Sequence, residues 1–418
     1  MEKQILVHVD LNGLPRFVGR LWAHVRGKRE SATFEYEESW LAHEERFALE
    51  PSLQLDPGPF HTGSGHKLFG AIGDSAPDRW GRVLMRRVER RRAADAGETP
   101  RTLREIDFLL GVNDEARQGA LRFAESEDGP FLAASGPAPI PPVVDLPRLL
   151  SASEHVIDSQ EDDNDLRMLF APGSSLGGAR PKASVREPDG RLAIAKFPHK
   201  EDEWNEVLWE AVALSIADRA GVTVPDWRIE TIGQKSVLIL SRFDRQDSER
   251  IPFLSALSMI DATDNESRSY LEIVDALRRH GARPSADMRE LWRRILVSIL
   301  ISNVDDHMRN HGFLYTGTEG WTLSPAYDLN PVPVDVKPRV LSNAIDDADP
   351  TASLELALSV AEYFELEAGK ARAIAAEVAG AVANWQQTAA ALGVESAEIR
   401  RMESAFEHTD LDRARTLT

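Results

Sequence analysis

Over the first fifty residues, apolar and polar positions alternate in short runs. ILVHV (5–9), FVGRLWAHV (17–25) and SATFEYE (31–37) are separated by turn residues at Asp10–Gly13 and Gly27–Arg29. This pattern predicts a β-meander. The period changes near Asp78–Ala94, where Pro77 opens a helical stretch rich in Arg, Leu and Met. GVNDEARQGALRF (111–123) reads as a turn leading into a strand. Pro130, Pro137, Pro139, Pro141, Pro142 and Pro147 then fall in one Gly- and Ser-bearing stretch, the composition of a linker. RLAIAKFP (191–198) and KSVLILSRFD (235–244) predict buried strands. Between them, Glu203–Ala220 carries apolar residues at helical spacing and stops at Gly221, a suitable C-cap. Strand, helix and strand predict a helix packed on one side of a small antiparallel sheet.

Leu291–Ser302 is apolar nearly all round and predicts a buried helix. Residues 353–417 are rich in Ala, Leu and Glu, with breaks at Gly369 and Gly393, and predict several helices. No internal repeat is visible. The order of elements gives an α+β fold. A β-rich module spans 1–125, a Pro-rich linker 126–149, a small α/β lobe 150–255 and a mainly helical lobe 256–418.

Composition narrows the class. A chain of 418 residues is expected to hold two or three domains. Apolar residues at 42% and charged ones at 28% are those of a soluble globular protein. No apolar run approaches the roughly 20 residues of a membrane span. The opening MEKQILVHVDLNG has no basic stretch leading into an apolar one, so no secretory leader is expected. The absence of cysteine excludes a disulfide framework and a thiolate zinc site, and fits a reducing cytoplasm. A net charge of −19 argues against a broad nucleic-acid surface. The basic run Arg86, Arg87, Arg90, Arg91 and Arg92 reads as a solvated helix face. Contact with DNA is therefore expected through a basic partner.

Four segments carry candidate chemistry. SSLGGARPKAS (174–184) is a glycine-bearing loop in which Gly177 and Gly178 permit close backbone approach and Lys182 offers a charge for phosphate. Taken alone it also suits a surface turn. Lys196 lies in the apolar strand AIAKFP and needs a partner or a solvent-facing edge. In kinases such a lysine holds the α- and β-phosphates and pairs with a carboxylate on the following helix. Glu206 and Glu210 occupy that helix, and Glu210 is the favoured partner. In SNVDDHMRNHGF (302–313), Asp305 and Asn310 stand five apart, the spacing of a kinase catalytic loop. There the Asp accepts a hydroxyl proton and the Asn binds a metal ion. A capping turn is the plainer alternative for this segment. Finally, Asp328 in LSPAYDLNP follows Asn310 by 18 residues, after an expected strand pair GFLYT and GWTLS. It could chelate magnesium, although Asp is common in turns.

With these residues in this order, the chain resembles the HipA family over nearly its whole length. GGARPK, AIAKFP, SRFDR, NVDDHMRN and SPAYDL each match a family motif, as do GDSAPDRWGR (73–82), RQGALRF (117–123) and VTVPD (222–226). The resemblance implies a two-lobed, protein-kinase-like fold with an N-terminal β-rich subdomain, and a serine/threonine kinase that uses ATP and Mg2+. It assigns Asp305 as general base, Asn310 and Asp328 as metal ligands, and Lys196 to phosphate. Gly177, Gly178, Ala179, Arg180, Pro181 and Lys182 would cover the nucleotide, and Ser241, Arg242 and Phe243 would form the hinge at adenine. His307, Arg309 and Tyr327 would line the nucleotide site.

Family members autophosphorylate on a serine before the glycines, which maps to Ser175, with Ser174 its neighbour. Added charge there could expel the loop. A HipB-type helix-turn-helix antitoxin is the implied partner. An aminoacyl-tRNA synthetase, glutamyl-tRNA synthetase foremost, is the implied substrate. Arg180–Pro181 replaces the Gln–Glu of some relatives, and Ser241 the Glu of others, which puts loop closure and adenine contact in question.

Three alternatives remain at this point. A small-molecule phosphotransferase shares the Asp–Asn–Asp logic but lacks the GDSAPDRWGR module. A metal-dependent hydrolase could use Asp305, Asp306, His307 and His311, leaving Lys196 without a task. A non-catalytic co-repressor would need none of these groups.

Overall fold

The computed structural model describes residues 2–127, 129–133, 140–170, 180–247 and 249–417. Two compact units emerge. The first combines 1–200 with 232–263, and the second combines 201–231 with 264–418, so the chain passes between them three times. Among the described residues, no helix is long and apolar enough to cross a membrane.

In the first unit the expected meander is present. Strands β1 (Glu2–Leu11), β2 (Leu14–Arg26) and β3 (Arg29–Tyr36) pair antiparallel, with β4 (Pro59–His61) outside β3 and β5 (Leu121–Ala124) outside β1. The β1–β2 turn needs two residues at positive φ, and Asn12 (54°) and Gly13 (75°) supply them. Alternate residues Ile5, Val7 and Val9 are fully buried on one face, and Leu6 and Asp10 on the other are also buried, so β1 is covered on both sides along this stretch.

Asp78 caps the helix Arg79–Asp95, its side chain accepting from Gly81 N at 2.8 Å. Trp80 and Leu84 of that helix enter one core with Leu149, Val156, Val185, Ala193, Ala195 and Ile239. That core underlies a second set of strands, β6 (Lys182–Arg186), β7 (Leu192–Lys196) and the strand Lys235–Ser241. β7 pairs antiparallel with both of the others. The meander and the second sheet belong to one unit.

Two features of this unit lie outside any expected element. Glu50, almost fully buried, accepts Ala71 N at 2.6 Å at the start of the short helix Gly70–Asp74 and is bonded by the Ser52 hydroxyl. The helix Leu146–Asp158 begins inside the Pro-rich stretch, with Pro147 in its first turn, where a missing N–H costs nothing.

The second unit is mainly helical. Its central helix runs Pro284–Leu300 and starts seven residues before the apolar run that forecast it, because Pro284 and the first polar turn are part of the same helix. It packs against Tyr270–His280 and Ala368–Val382. Gly369 sits in the first turn of the latter and breaks nothing, whereas Gly393, at φ 83°, ends the helix Trp385–Ala391 as expected. Helix Glu206–Arg219 packs on Trp385–Ala391 and Ala368–Val382. Its Trp209 donates to Glu398 at 2.7 Å.

Candidate active site

The central helix stops at a C-cap, Ile301, and Ser302 then turns the chain through a left-handed conformation (φ 53°). Asn303 secures the exit, its N–H reaching Ser298 O at 2.9 Å and its amide nitrogen Ser298 Oγ at 3.2 Å. Two adjacent acids follow, with opposite fates. Asp305 is exposed, with Lys337 Nζ 3.7 Å from its carboxylate. Asp306 is buried. Its carboxylate accepts Tyr270 OH at 2.6 Å and Ser298 Oγ at 3.2 Å, and His311 Nε2 lies 3.1 Å away. Burial alone would raise the Asp306 carboxyl, but His311 and the bond from Tyr270 hold it below the usual range. Asn343 donates to the Asp306 carbonyl at 2.7 Å. Asp306 is therefore the anchor that fixes the turn and leaves Asp305 facing outward.

Asn310 folds back onto this turn. Its N–H bonds His307 O at 2.8 Å and its side-chain nitrogen bonds Asp305 O at 3.2 Å. The side-chain oxygen is then the atom left to face a ligand. His307 is half-buried, and its Nδ1 has no hydrogen-bond partner among the described residues. Arg309 is exposed and held by Asp264 at 2.7 and 3.0 Å.

Asp328 arrives by a hairpin. Strands Gly312–Tyr315 and Trp321–Leu323 pair antiparallel, and Ser324 N bonds Gly312 O at 2.8 Å, so both ends of the hairpin lie together. Tyr327 OH then donates to Arg309 O at 2.7 Å, and Asn330 N to Asn303 Oδ1 at 3.0 Å. Asp328 thus sits between two ties to the ends of the 303–309 turn. It is half-buried and held at φ 55°, a left-handed conformation that a non-glycine residue adopts at a cost of roughly 1–3 kcal/mol. Asp305, Asn310 and Asp328, distant by up to 23 residues in sequence, share one corner of this unit.

The donor set fits magnesium. A carboxylate and an amide oxygen are hard ligands, and magnesium is ordinarily held by one or two carboxylates with the remaining positions left to phosphates and water. Among the described residues, no group of three or more His, Asp or Glu could cage a metal ion. Of the residues the hydrolase alternative named, Asp306 and His311 are buried against each other, while Asp305 faces outward.

The first unit holds the other expected residues. In the β6–β7 pair, Lys182 stands directly opposite Lys196, and the two are only 2% and 9% exposed. Lys182 Nζ bonds Asp78 Oδ2 at 2.7 Å. Pro181 accepts Phe197 N at 2.9 Å, and Arg180 is half-buried. Ser241 pairs with Ala193 at the end of its strand. Arg242 is buried against Asp244 at 2.5–2.6 Å and donates to Ala116 O at 2.9 Å, so its guanidinium is engaged inside the protein. Burial would raise the Asp244 carboxyl, but Arg242 and Arg245 carry it far below the carboxylate range. The Phe243 ring lies 6.2 Å from Phe253. Ser174, Ser175, Gly177, Gly178 and Ala179 lie outside the described residues. Lys196 belongs to the first unit, whereas Glu210, buried in helix Glu206–Arg219, belongs to the second.

Fold and site define a mixed α and β protein, β-rich toward its N-terminus and helical toward its C-terminus, with two acids and an amide gathered at one hairpin end. A chain of the Shewanella oneidensis MR-1 complex of HipA, HipB and operator DNA has the same fold. It matches with a TM-score of 0.67 over 99% of this chain and 100% of its own, at 15% identity. Residues 174–386 match the HipA-like C-terminal domain and 8–111 the HipA N-terminal domain. The chain belongs to the HipA family. Among curated relatives, a Sinorhizobium fredii protein named "Putative kinase Y4mE" is 26% identical over 71% of each chain. A Haemophilus influenzae protein named "Putative kinase" is 28% identical over 32% of this chain and 43% of its own.

Proposed function

We propose that this chain is an ATP-dependent serine/threonine protein kinase, the toxin of a HipBA-type pair. One observation carries the proposal: the Asp306 anchor and the two ties flanking Asp328 gather Asp305, Asn310 and Asp328 at one corner. Asp305, turned outward, takes the proton of the acceptor hydroxyl as its oxygen bonds the γ-phosphorus and the bond to the ADP oxygen breaks. Asn310 and Asp328 would hold magnesium, which when bound neutralises charge on the phosphates. Lys196 would grip the phosphates, with Glu210 as its carboxylate partner. The Arg180–Lys182 end of the glycine loop would lie over the nucleotide, and Ser241–Phe243 beside adenine. His307, Arg309 and Tyr327 would flank the phosphates.

The regulatory serine is Ser175. The partner is a HipB-type helix-turn-helix antitoxin through which DNA is reached, a view supported by the HipA, HipB and operator composition of the Shewanella complex. The substrate is an aminoacyl-tRNA synthetase, whose phosphorylation would arrest translation. The naming of both relatives as kinases supports the reaction class.

The test is transfer of label from γ-labelled ATP to protein. Asp305→Asn and Asp328→Asn should each abolish it while leaving circular dichroism unchanged, and Ser175→Ala should remove self-labelling. Wild-type transfer by either Asp variant would end the proposal. Phosphoproteomics against the Asp305→Asn control would identify the acceptor.

A further inference from the structure

Asp305, proposed to take the acceptor's proton, has a cation beside it that no sequence motif announces. Lys337 Nζ lies 3.7 Å from its carboxylate, and the two side chains are 54% and 62% exposed. An ion pair this open adds little to stability, and holding a lysine still costs rotamer entropy. Stability therefore does not account for the contact.

The segment that carries Lys337 is held on both sides. Pro331, Pro333 and Pro338 each fix a backbone φ. Val332 N bonds Ser302 O at 3.1 Å, at the turn that leads to Asp305. Val334 N bonds Ser404 Oγ at 3.2 Å, and Asp335 pairs with Arg401 at 2.8 Å. On the far side, Arg339 joins Asp410 at 2.7 Å and the Ile299 carbonyl at 2.9 Å. Between these ties Val336 N and Lys337 N both bond Pro333 O, at 3.0 and 3.2 Å, closing a turn that ends on Lys337. The C-terminal helices Ser396–Arg401, Glu403–Phe406 and Thr409–Arg415 thus brace a turn whose lysine reaches Asp305. Arg309, on the same turn as Asn310, is instead engaged by Asp264.

We propose that Lys337 is a catalytic residue, its ammonium donating to the oxygens of the phosphoryl group as that group passes to the acceptor. The inference rests on the kinase proposal above. The acceptor oxygen that gives its proton to Asp305 is the one that bonds the γ-phosphorus. A cation 3.7 Å from that carboxylate therefore borders the path of the transferring group. Lys337 gives up no proton: the bond to the ADP oxygen breaks, and the acceptor's proton stays on Asp305. Charge develops on the phosphoryl oxygens during transfer, and a cation already in place stabilises it there. The exposure of Lys337 suits this role, since its ammonium has to be reachable by the incoming groups.

Lys337→Met removes the charge and keeps most of the stem. Self-labelling from γ-labelled ATP at saturation should slow roughly 10- to 100-fold, the effect of losing a charge-assisted contact, while the half-saturating ATP concentration stays within about threefold. Calorimetry gives a second readout. Affinity for magnesium-ADP with aluminium fluoride, a planar phosphoryl mimic, should fall by a similar factor, and affinity for magnesium-ADP alone should not change. Lys337→Arg should restore most of both. The thermal midpoint should stay at the wild-type value, as expected for an exposed pair. Unchanged labelling and unchanged fluoride-complex affinity in Lys337→Met overturn the proposal, and leave the kinase assignment standing provided Asp305→Asn is inactive. A slowed reaction that arginine does not restore, accompanied by a lowered thermal midpoint, overturns it too, because Lys337 is then only a prop for the turn. If wild-type protein neither self-labels nor binds magnesium-ADP, both fall together.

Discussion

Glu50→Gln offers a quantitative test of the first unit's interior. Glu50 is almost fully buried, and that burial, helped by Asp74 and Asp261, pushes its carboxyl up to about 7 against an ordinary 4.5, although the bonds from Ser52 and Ala71 pull the other way. The folded chain thus holds the proton more tightly than the unfolded one. Stability from this group is full below pH 4.5 and is lost as pH rises toward about 7. Each tenfold difference in proton affinity is worth about 1.36 kcal/mol, so the total loss is roughly 3 kcal/mol.

Glutamine never ionises, yet its oxygen can still accept Ala71 N and its nitrogen can donate to Ser52. Urea unfolding of variant and wild type at pH 5 and pH 8 isolates the effect, because titrating groups that do not interact with Glu50 cancel in the difference. The variant's advantage should grow by roughly 2–3 kcal/mol between those two values. A flat difference, or one that shrinks as pH rises, would falsify the assignment of a protonated Glu50 in the folded chain.

Asp244→Asn should cost about 3–5 kcal/mol, because it leaves Arg242 and Arg245 buried beside a neutral amide. Urea midpoints measure this, and a loss under about 1 kcal/mol would contradict the buried-pair description. Trp385→Ala should cost a similar 3–5 kcal/mol in the second unit, where its ring stacks on Phe406 at 4.4 Å and 4° and meets Trp209 at 6.1 Å. Thermal melts would register the loss, and retention of wild-type stability would mean that the stack is not formed in solution.

The patterns that spoke most clearly were local. Alternation and Asn12–Gly13 forecast the meander because hairpin geometry depends on neighbours in sequence. The five-residue spacing of Asp305 and Asn310 forecast a single turn bearing both. Tertiary partners decided the rest. Asp305 and Asp306 are identical side by side in the sequence, and the inward one is chosen by Tyr270, Ser298, His311 and Asn343. Arg242, expected in the hinge segment, has a further task the sequence does not show, its side chain turning to Asp244 and to a carbonyl 126 positions away. The counter-ion of Lys182 was equally hidden. Asp78 reads as a helix cap, and nothing nearby reveals that its second oxygen has another task. A basic residue in an apolar strand with no acid close by is the one signal that could have prompted the search.

The threefold crossing of the chain between units has a consequence for biosynthesis. β7 is flanked by β6 from the same hairpin and by Lys235–Ser241, which emerges from the ribosome only after an excursion through the other unit. At about 5–20 residues per second, the apolar edge of Ala193–Ala195 stays unzipped for about 2–9 seconds. That interval is when a translating chain is most open to sticking to its neighbours. Slow codons between 200 and 240 would lengthen it, and a nascent-chain chaperone would matter most there.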